Sequence, residues 1–116
     1  MKLKLAIAIL ALLAFASRGH AQTVTYYYVV TAVDAINNES AYSNQAACPY
    51  DTTHHHCIFN WNASTSTVVG YNLYRTPVPA GGVYVKVNSA PITALTYTDA
   101  VPLPSAPSGL APTLAP

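Results

Sequence analysis

Thr25-Tyr26-Tyr27-Tyr28-Val29-Val30-Thr31-Ala32-Val33-Asp34-Ala35 is the stretch on which the fold of this chain turns. β-Branched and aromatic residues fill it, and such side chains suit a pleated, half-buried surface better than a helix. At period two, Tyr26, Tyr28, Val30 and Ala32 share one face, and Tyr27, Val29, Thr31 and Val33 share the other. Both faces are apolar enough for a central strand. A strand of this kind needs partners on its edges and a second layer beneath it.

Downstream, Asp34 to Asn38 reads as a hairpin loop, because Asn tolerates the left-handed conformation of a tight reversal. Glu39 to Ala46 reads as a more polar partner strand. Ala47 to His56 reads as a connector, since Pro49 excludes a regular central strand there. Cys57 to Asn62 is the next strand, with Cys57, Phe59 and Trp61 on its buried side. Val68 to Arg75 follows the small-residue turn Ala63 to Thr67, with Tyr71 and Leu73 as its core residues. Val83 to Val87 alternates after a Pro/Gly turn, and Leu95 to Asp99 is a short strand around Tyr97. Six short strands at this spacing describe an all-β sandwich. The structural core predicted from the alternation is Tyr26, Tyr28, Val30, Phe59, Trp61, Tyr71, Leu73 and Tyr97. Val101 to Pro116 is rich in Pro, Ala and Ser, the composition of an extended tail.

Upstream lies a different kind of segment. Met1-Lys2-Leu3-Lys4 is basic, Leu5 to Ala16 is apolar, and Gly19 and Ala21 are small. That is the pattern of a secretory signal, with cleavage expected after Ala21. The apolar run is shorter than the roughly 20 residues of a spanning helix, so no membrane attachment is expected after cleavage. The expected division is 1–21 signal peptide, 22–100 β-sandwich and 101–116 Pro-rich tail. About 95 residues remain after cleavage, enough for one small core. The expected localisation is secreted, extracellular or periplasmic.

Composition narrows the function. Lys and Arg total 5 and Asp and Glu total 4, a net charge of +1. Nucleic-acid binders concentrate basic residues, so no nucleic-acid partner is expected. Asp34, Glu39, Asp51 and Asp99 are the only carboxylate side chains, and none is paired in sequence as general acid–base work requires. No Gly-x-Ser-x-Gly elbow occurs. The expectation is a protein without catalytic residues and without a cofactor.

The chain resembles the fibronectin type III family, in two pieces. Cys57-Ile-Phe-Asn-Trp-Asn, Gly70-Tyr-Asn-Leu-Tyr-Arg, Tyr84-Val-Lys-Val-Asn and Thr96-Tyr-Thr-Asp look like strands B, C, C′ and E. Thr25 to Asp34 and Asn38-Glu-Ser-Ala-Tyr-Ser-Asn look like strands F and G. The resemblance is to repeats of secreted bacterial multidomain proteins. It places Trp61 on the family's strand-B tryptophan and Tyr26 on the tyrosine that starts strand F. The order is permuted, with the F–G hairpin (22–46) ahead of B-C-C′-E (57–100). The resemblance therefore implies an immunoglobulin-like β-sandwich that is either circularly permuted or strand-swapped. In the first case Ala47 to His56 crosses between the sheets, a reach of up to about 33 Å. In the second, the hairpin of one molecule completes the next. Intrachain pairing has the higher effective concentration, which favours the closed monomer. In such sandwiches the strand-F tyrosine bonds upstream backbone. Here that backbone would be the cleaved signal, so Val101 is the expected substitute partner for Tyr26. Pro104-Ser-Ala-Pro-Ser-Gly-Leu110 looks like the start of a strand A, which no other segment supplies.

Several residues invite chemistry. Cys48 and Cys57 in an exported chain read as one disulfide pinning the crossing, with free thiols or an interchain bridge as alternatives. His54, His55 and His56 are candidate metal ligands beside Asp51 and the cysteines. A solvated loop is the commoner use of such a run, and oxidised cysteines would not ligate. Tyr27, Tyr74 and Tyr84 are candidates for an outward platform that stacks on sugars or proteins, against ordinary cross-strand pairing. The functional expectation is a secreted module for adhesion or extracellular assembly, self-associating by strand exchange. The alternatives are a carbohydrate- or protein-recognition accessory and a fragment of a tandem-repeat surface protein. The partner expected is a protein or glycan at the cell surface.

Overall fold

The computed structural model describes residues 22–116, and the expected signal segment, 1–21, lies outside them. Six strands form: β1 (Thr23–Val33), β2 (Ala46–Asp51), β3 (His56–Asn60), β4 (Gly70–Thr76), β5 (Val85–Lys86) and β6 (Thr96–Ala100). Four make one antiparallel sheet in the order β2-β1-β4-β5, and β3 and β6 make a second. The described residues contain no helix, so none is long and apolar enough to cross a membrane. The described residues are all-β, with two antiparallel sheets in an arrangement consistent with a β-sandwich.

β1 is central, as its two apolar faces require. It pairs with β2 from Thr23↔Asp51 to Tyr28↔Ala46, and with β4 from Tyr27↔Thr76 to Val33↔Gly70. Both partners belong to the same chain. Between them, the Asp34–Asn38 loop closes through the Asp34 N–H to Asn38 carbonyl bond at 3.0 Å, with Asn37 at φ 66°. The core between the sheets gathers Tyr28, Cys48, Tyr50 and Leu73, with Tyr26, Val30, Phe59 and Tyr97 packed against them. The Tyr28 and Phe59 rings lie 4.2 Å apart across the interface, and the Trp61 ring sits 5.7 Å from Tyr71.

The structure corrects three expectations. Glu39 to Ala46 is not a regular strand: Val33↔Glu39 forms a single bridge, and Ser40 to Gln45 has no ladder. Serine side chains bond β1 there instead. Ala32 N–H donates to Ser40 Oγ and Val30 N–H to Ser43 Oγ, both at 2.9 Å. The same serines return their own N–H groups to the Ala32 and Val30 carbonyls. Second, Ala47 to Asp51 is not connector but part of β2. These bonds put the even-numbered backbone groups of β1 on the β2 side, so Thr25↔Pro49 is a non-bonded pair. The missing Pro49 N–H therefore faces away from β1, the position an edge strand allows. The crossing shrinks to Thr52–His55, and Tyr50, read as connector, is fully buried. Third, only Val85–Lys86 of the Val83–Val87 stretch pairs, and Val83 is 81% exposed.

Candidate functional site

β3 leaves one edge of its backbone unpaired beside the core. β3 pairs with β6 alone, from His56↔Ala100 to Asn60↔Thr96. Two flanking bonds set the phase of that ladder: Trp61 N–H to the Leu95 carbonyl at 3.1 Å, and Val101 N–H to the His55 carbonyl at 2.7 Å. Odd-numbered residues thus bond β6, and the N–H and C=O groups of His56, Ile58 and Asn60 point to the free side. Ile58 is 68% exposed.

On that side the space between the sheets opens as a groove of about 460 Å³. Tyr28, Phe59 and Trp61 line it, and Ser43, Asn44 and Asn60 stand at its rim. The Trp61 indole N–H is shielded and has no partner among the described residues. β6 lies beneath β4, where the Arg75 guanidinium reaches Asp99, and Val87 and Ile92 pack against the core.

The tail passes close by. Val101 and Leu103 pack against the core cluster, and every residue from Pro104 to Pro116 is exposed. Leu110 and Leu114 are bare.

A second cluster covers the outer face of the four-stranded sheet. The Tyr42 ring lies 5.0 Å from Tyr84 and 5.9 Å from Tyr74. Gln45 Nε2 donates to the Tyr84 hydroxyl at 2.6 Å and to the Pro79 carbonyl at 3.0 Å. Glu39 Oε1 accepts from Thr31 Oγ1 at 2.7 Å, Tyr74 OH at 2.6 Å and Asn72 Nδ2 at 3.0 Å. These donors, Thr31 foremost, hold the Glu39 carboxyl down at about 2. Burial and the Glu39 charge push Tyr74 up to about 12. A shallow concavity lies between Tyr42, Tyr74 and Glu39. Of the three tyrosines anticipated from sequence, Tyr74 and Tyr84 are here. Tyr27 pairs opposite Thr76 and joins no aromatic contact among the described residues. Nothing in the sequence marks the Tyr42–Glu39 grouping, because serine bonds replace a regular ladder in their segment.

The remaining candidates serve the fold. Cys48 and Cys57 are bonded, Cα–Cα 6.6 Å, tying β2 to β3 and hence sheet to sheet. Asp51 accepts from the Thr53 N–H, the Thr53 hydroxyl and the His54 N–H, which together hold its carboxyl well below the usual carboxylate range. His54 closes on that same carboxylate, His55 is half-buried and His56 sits exposed on β3. No group of three His, Cys, Asp or Glu side chains among the described residues could hold a metal ion. Tyr26 does not use Val101, whose N–H goes to His55. Its ring meets Tyr50 edge-on at 6.1 Å and takes the Arg75 guanidinium over its face at 5.1 Å. Beneath it Tyr28 donates to Asp99 at 2.7 Å, Arg75 donates to the same oxygen at 2.8 Å, and Tyr50 bonds the Tyr28 hydroxyl. Burial, first of all, drives the Tyr28 phenol far above its ordinary value.

Fold and site together define, among the described residues, a small all-β unit of two antiparallel sheets joined by one disulfide, with a tyrosine-covered face on one sheet and an open β3 edge on the other. No known protein family, curated protein or solved structure matches the chain.

Proposed function

We propose that the protein is an exported, non-catalytic module of the fibronectin type III kind that works in extracellular assembly or adhesion. The observation that carries this reading is the free edge of β3 above an open groove. Unpaired strand edges are templates for another chain, and proteins that do not use them cover or disrupt them. The family resemblance draws support from the partition of strands. The segments likened to B and E share one sheet and those likened to F, C and C′ the other, as in immunoglobulin-like sandwiches, while the place beside F is taken by β2 and not by the segment likened to G. A disulfide joining the sheets suits an oxidising compartment. Absence of catalysis is argued from the carboxylates, each engaged in a turn or a network: Asp34 by Asn38, Glu39 by Tyr74, Asp51 by Thr53 and Asp99 by Arg75.

Light scattering of the exported, oxidised protein from micromolar to millimolar concentration tests the assembly reading. The average mass rises with concentration if the edge is used, and a strict monomer throughout rejects it. The Tyr42–Tyr74–Tyr84 cluster favours a second reading, recognition of a cell-surface glycan by ring stacking beside an ionised carboxylate. Glycan binding that survives Tyr42→Ala would remove that alternative.

A further inference from the structure

We infer that the β3 edge is filled by the tail of a second copy: Ser105–Ala111 adds as a strand antiparallel to β3, with Pro107 turned into the groove. This rests on the assembly reading above and names its partner.

Three features of the tail fit that edge. The first is phase. An antiparallel partner must offer N–H groups at alternate positions, opposite His56, Ile58 and Asn60. Between Pro104 and Pro112 the even positions are Ala106, Ser108 and Leu110, all with N–H groups. The one proline inside this window, Pro107, falls in the odd phase, where its missing N–H points away from β3. The second is facing. Residues opposite each other across a ladder project to the same side. Ala106, Ser108 and Leu110 then lie on the outer face with exposed Ile58, and Leu110 gains apolar cover. Pro107 projects inward with Phe59 and Trp61, towards the groove. The third is cost. The tail is exposed and its prolines restrict it, so little order is lost on docking, and within the window Gly109, at φ 74°, must turn to strand dihedrals.

The tail of the same chain cannot take this position. Val101 is bonded to His55 at the start of β3, and Leu103 is packed on the core. An antiparallel strand must begin near Asn60, about 13 Å further along. From Leu103 to Ala106 the chain reaches at most about 11 Å, before it rounds the edge of β3 at all. Sliding the pairing to begin at Leu110 would bring Pro112 into the bonding phase. A second molecule approaches from the other pole without this constraint.

The decisive experiment places proline in each phase of the tail and measures self-association of the exported protein by sedimentation velocity. Both positions are exposed in the single molecule, so near-ultraviolet circular dichroism should match the parent for both variants. Ser108→Pro removes an N–H that faces β3 and should weaken association about tenfold or more, the effect of losing one such bond. Ser105→Pro removes an N–H that faces away and should leave association unchanged. Assembly that weakens equally, or in neither variant, overturns the tail as occupant while leaving the assembly reading intact. A parent protein that stays monomeric to millimolar concentration overturns both.

Discussion

The margin of the four-stranded sheet and the margin along β3 are treated in opposite ways. Along β1 and β2, Ser40 and Ser43 bond the backbone of β1 through both hydroxyl and amide, and Pro49 interrupts the outer edge of β2. On the far side of the same sheet, Asn88 Oδ1 accepts the Leu73 N–H at 2.8 Å in place of a strand. Side chains thus finish the ladder where strands end. Along β3 nothing comparable occurs: His56, Ile58 and Asn60 keep their outer backbone groups, and the core shows through the groove. The contrast teaches that open edges belong to the two-stranded sheet, whereas at the margins of the four-stranded sheet the chain spends specific residues on finishing the ladder.

The comparison makes its largest claim about packing. Leu73, 2% exposed under the closed sheet, should cost about 3 kcal/mol when changed to Ala, whereas Ile58→Ala at the open edge should stay within about 0.5 kcal/mol. Urea denaturation of the two variants measures both, and similar losses would erase the distinction between the margins. Next in size is the bridge between the sheets. Reduction, or the paired change of Cys48 and Cys57 to Ser, should destabilise by about 2–3 kcal/mol through the short loop it releases. The loss should appear in the denaturation midpoint with and without reductant.

The smallest effect is set by pH, and its two limits come from opposite faces of the closed sheet. Glu39 is held at about 2, below its unfolded value near 4.3, so its contribution is complete above pH ~4.3 and fades as pH falls towards 2. Tyr28 is raised far above its unfolded value near 10. Its contribution is complete below pH ~10 and is lost as pH rises beyond that. Thermal melts across pH should show a plateau between these limits. In Glu39→Gln the acid limb should flatten while the alkaline limb is unchanged.

How far the sequence revealed this depends on whether the signal was local. Period-two alternation is local, and it located β1, β3, β4 and β6 to within a few residues, together with the inward side of Phe59 and Leu73. The Cys48–Cys57 pairing was equally legible, because a chain with two cysteines has a single intrachain pairing. Tyr50 was missed because Pro49 reports on hydrogen bonding and not on burial. An edge strand can carry that proline and still bury the next side chain. Tyr42 and Glu39 were missed because serine hydroxyls replacing a ladder leave no alternation to detect. The groove is the least legible feature. It exists because β3 lies at the margin of its sheet, a fact of strand order that no single stretch encodes.

Pro107 has a further consequence for the dimension in which such molecules could grow. A strand added through Ser105–Ala111 would itself become the outermost of its sheet, with its odd-numbered groups turned outward. At the middle of that new margin stands a residue with no N–H to offer. Each docking event would close the edge it uses and present a poor one in its place. Growth would proceed from molecule to molecule along a line, as a thread, and lateral stacking into a sheet would stop at the first strand.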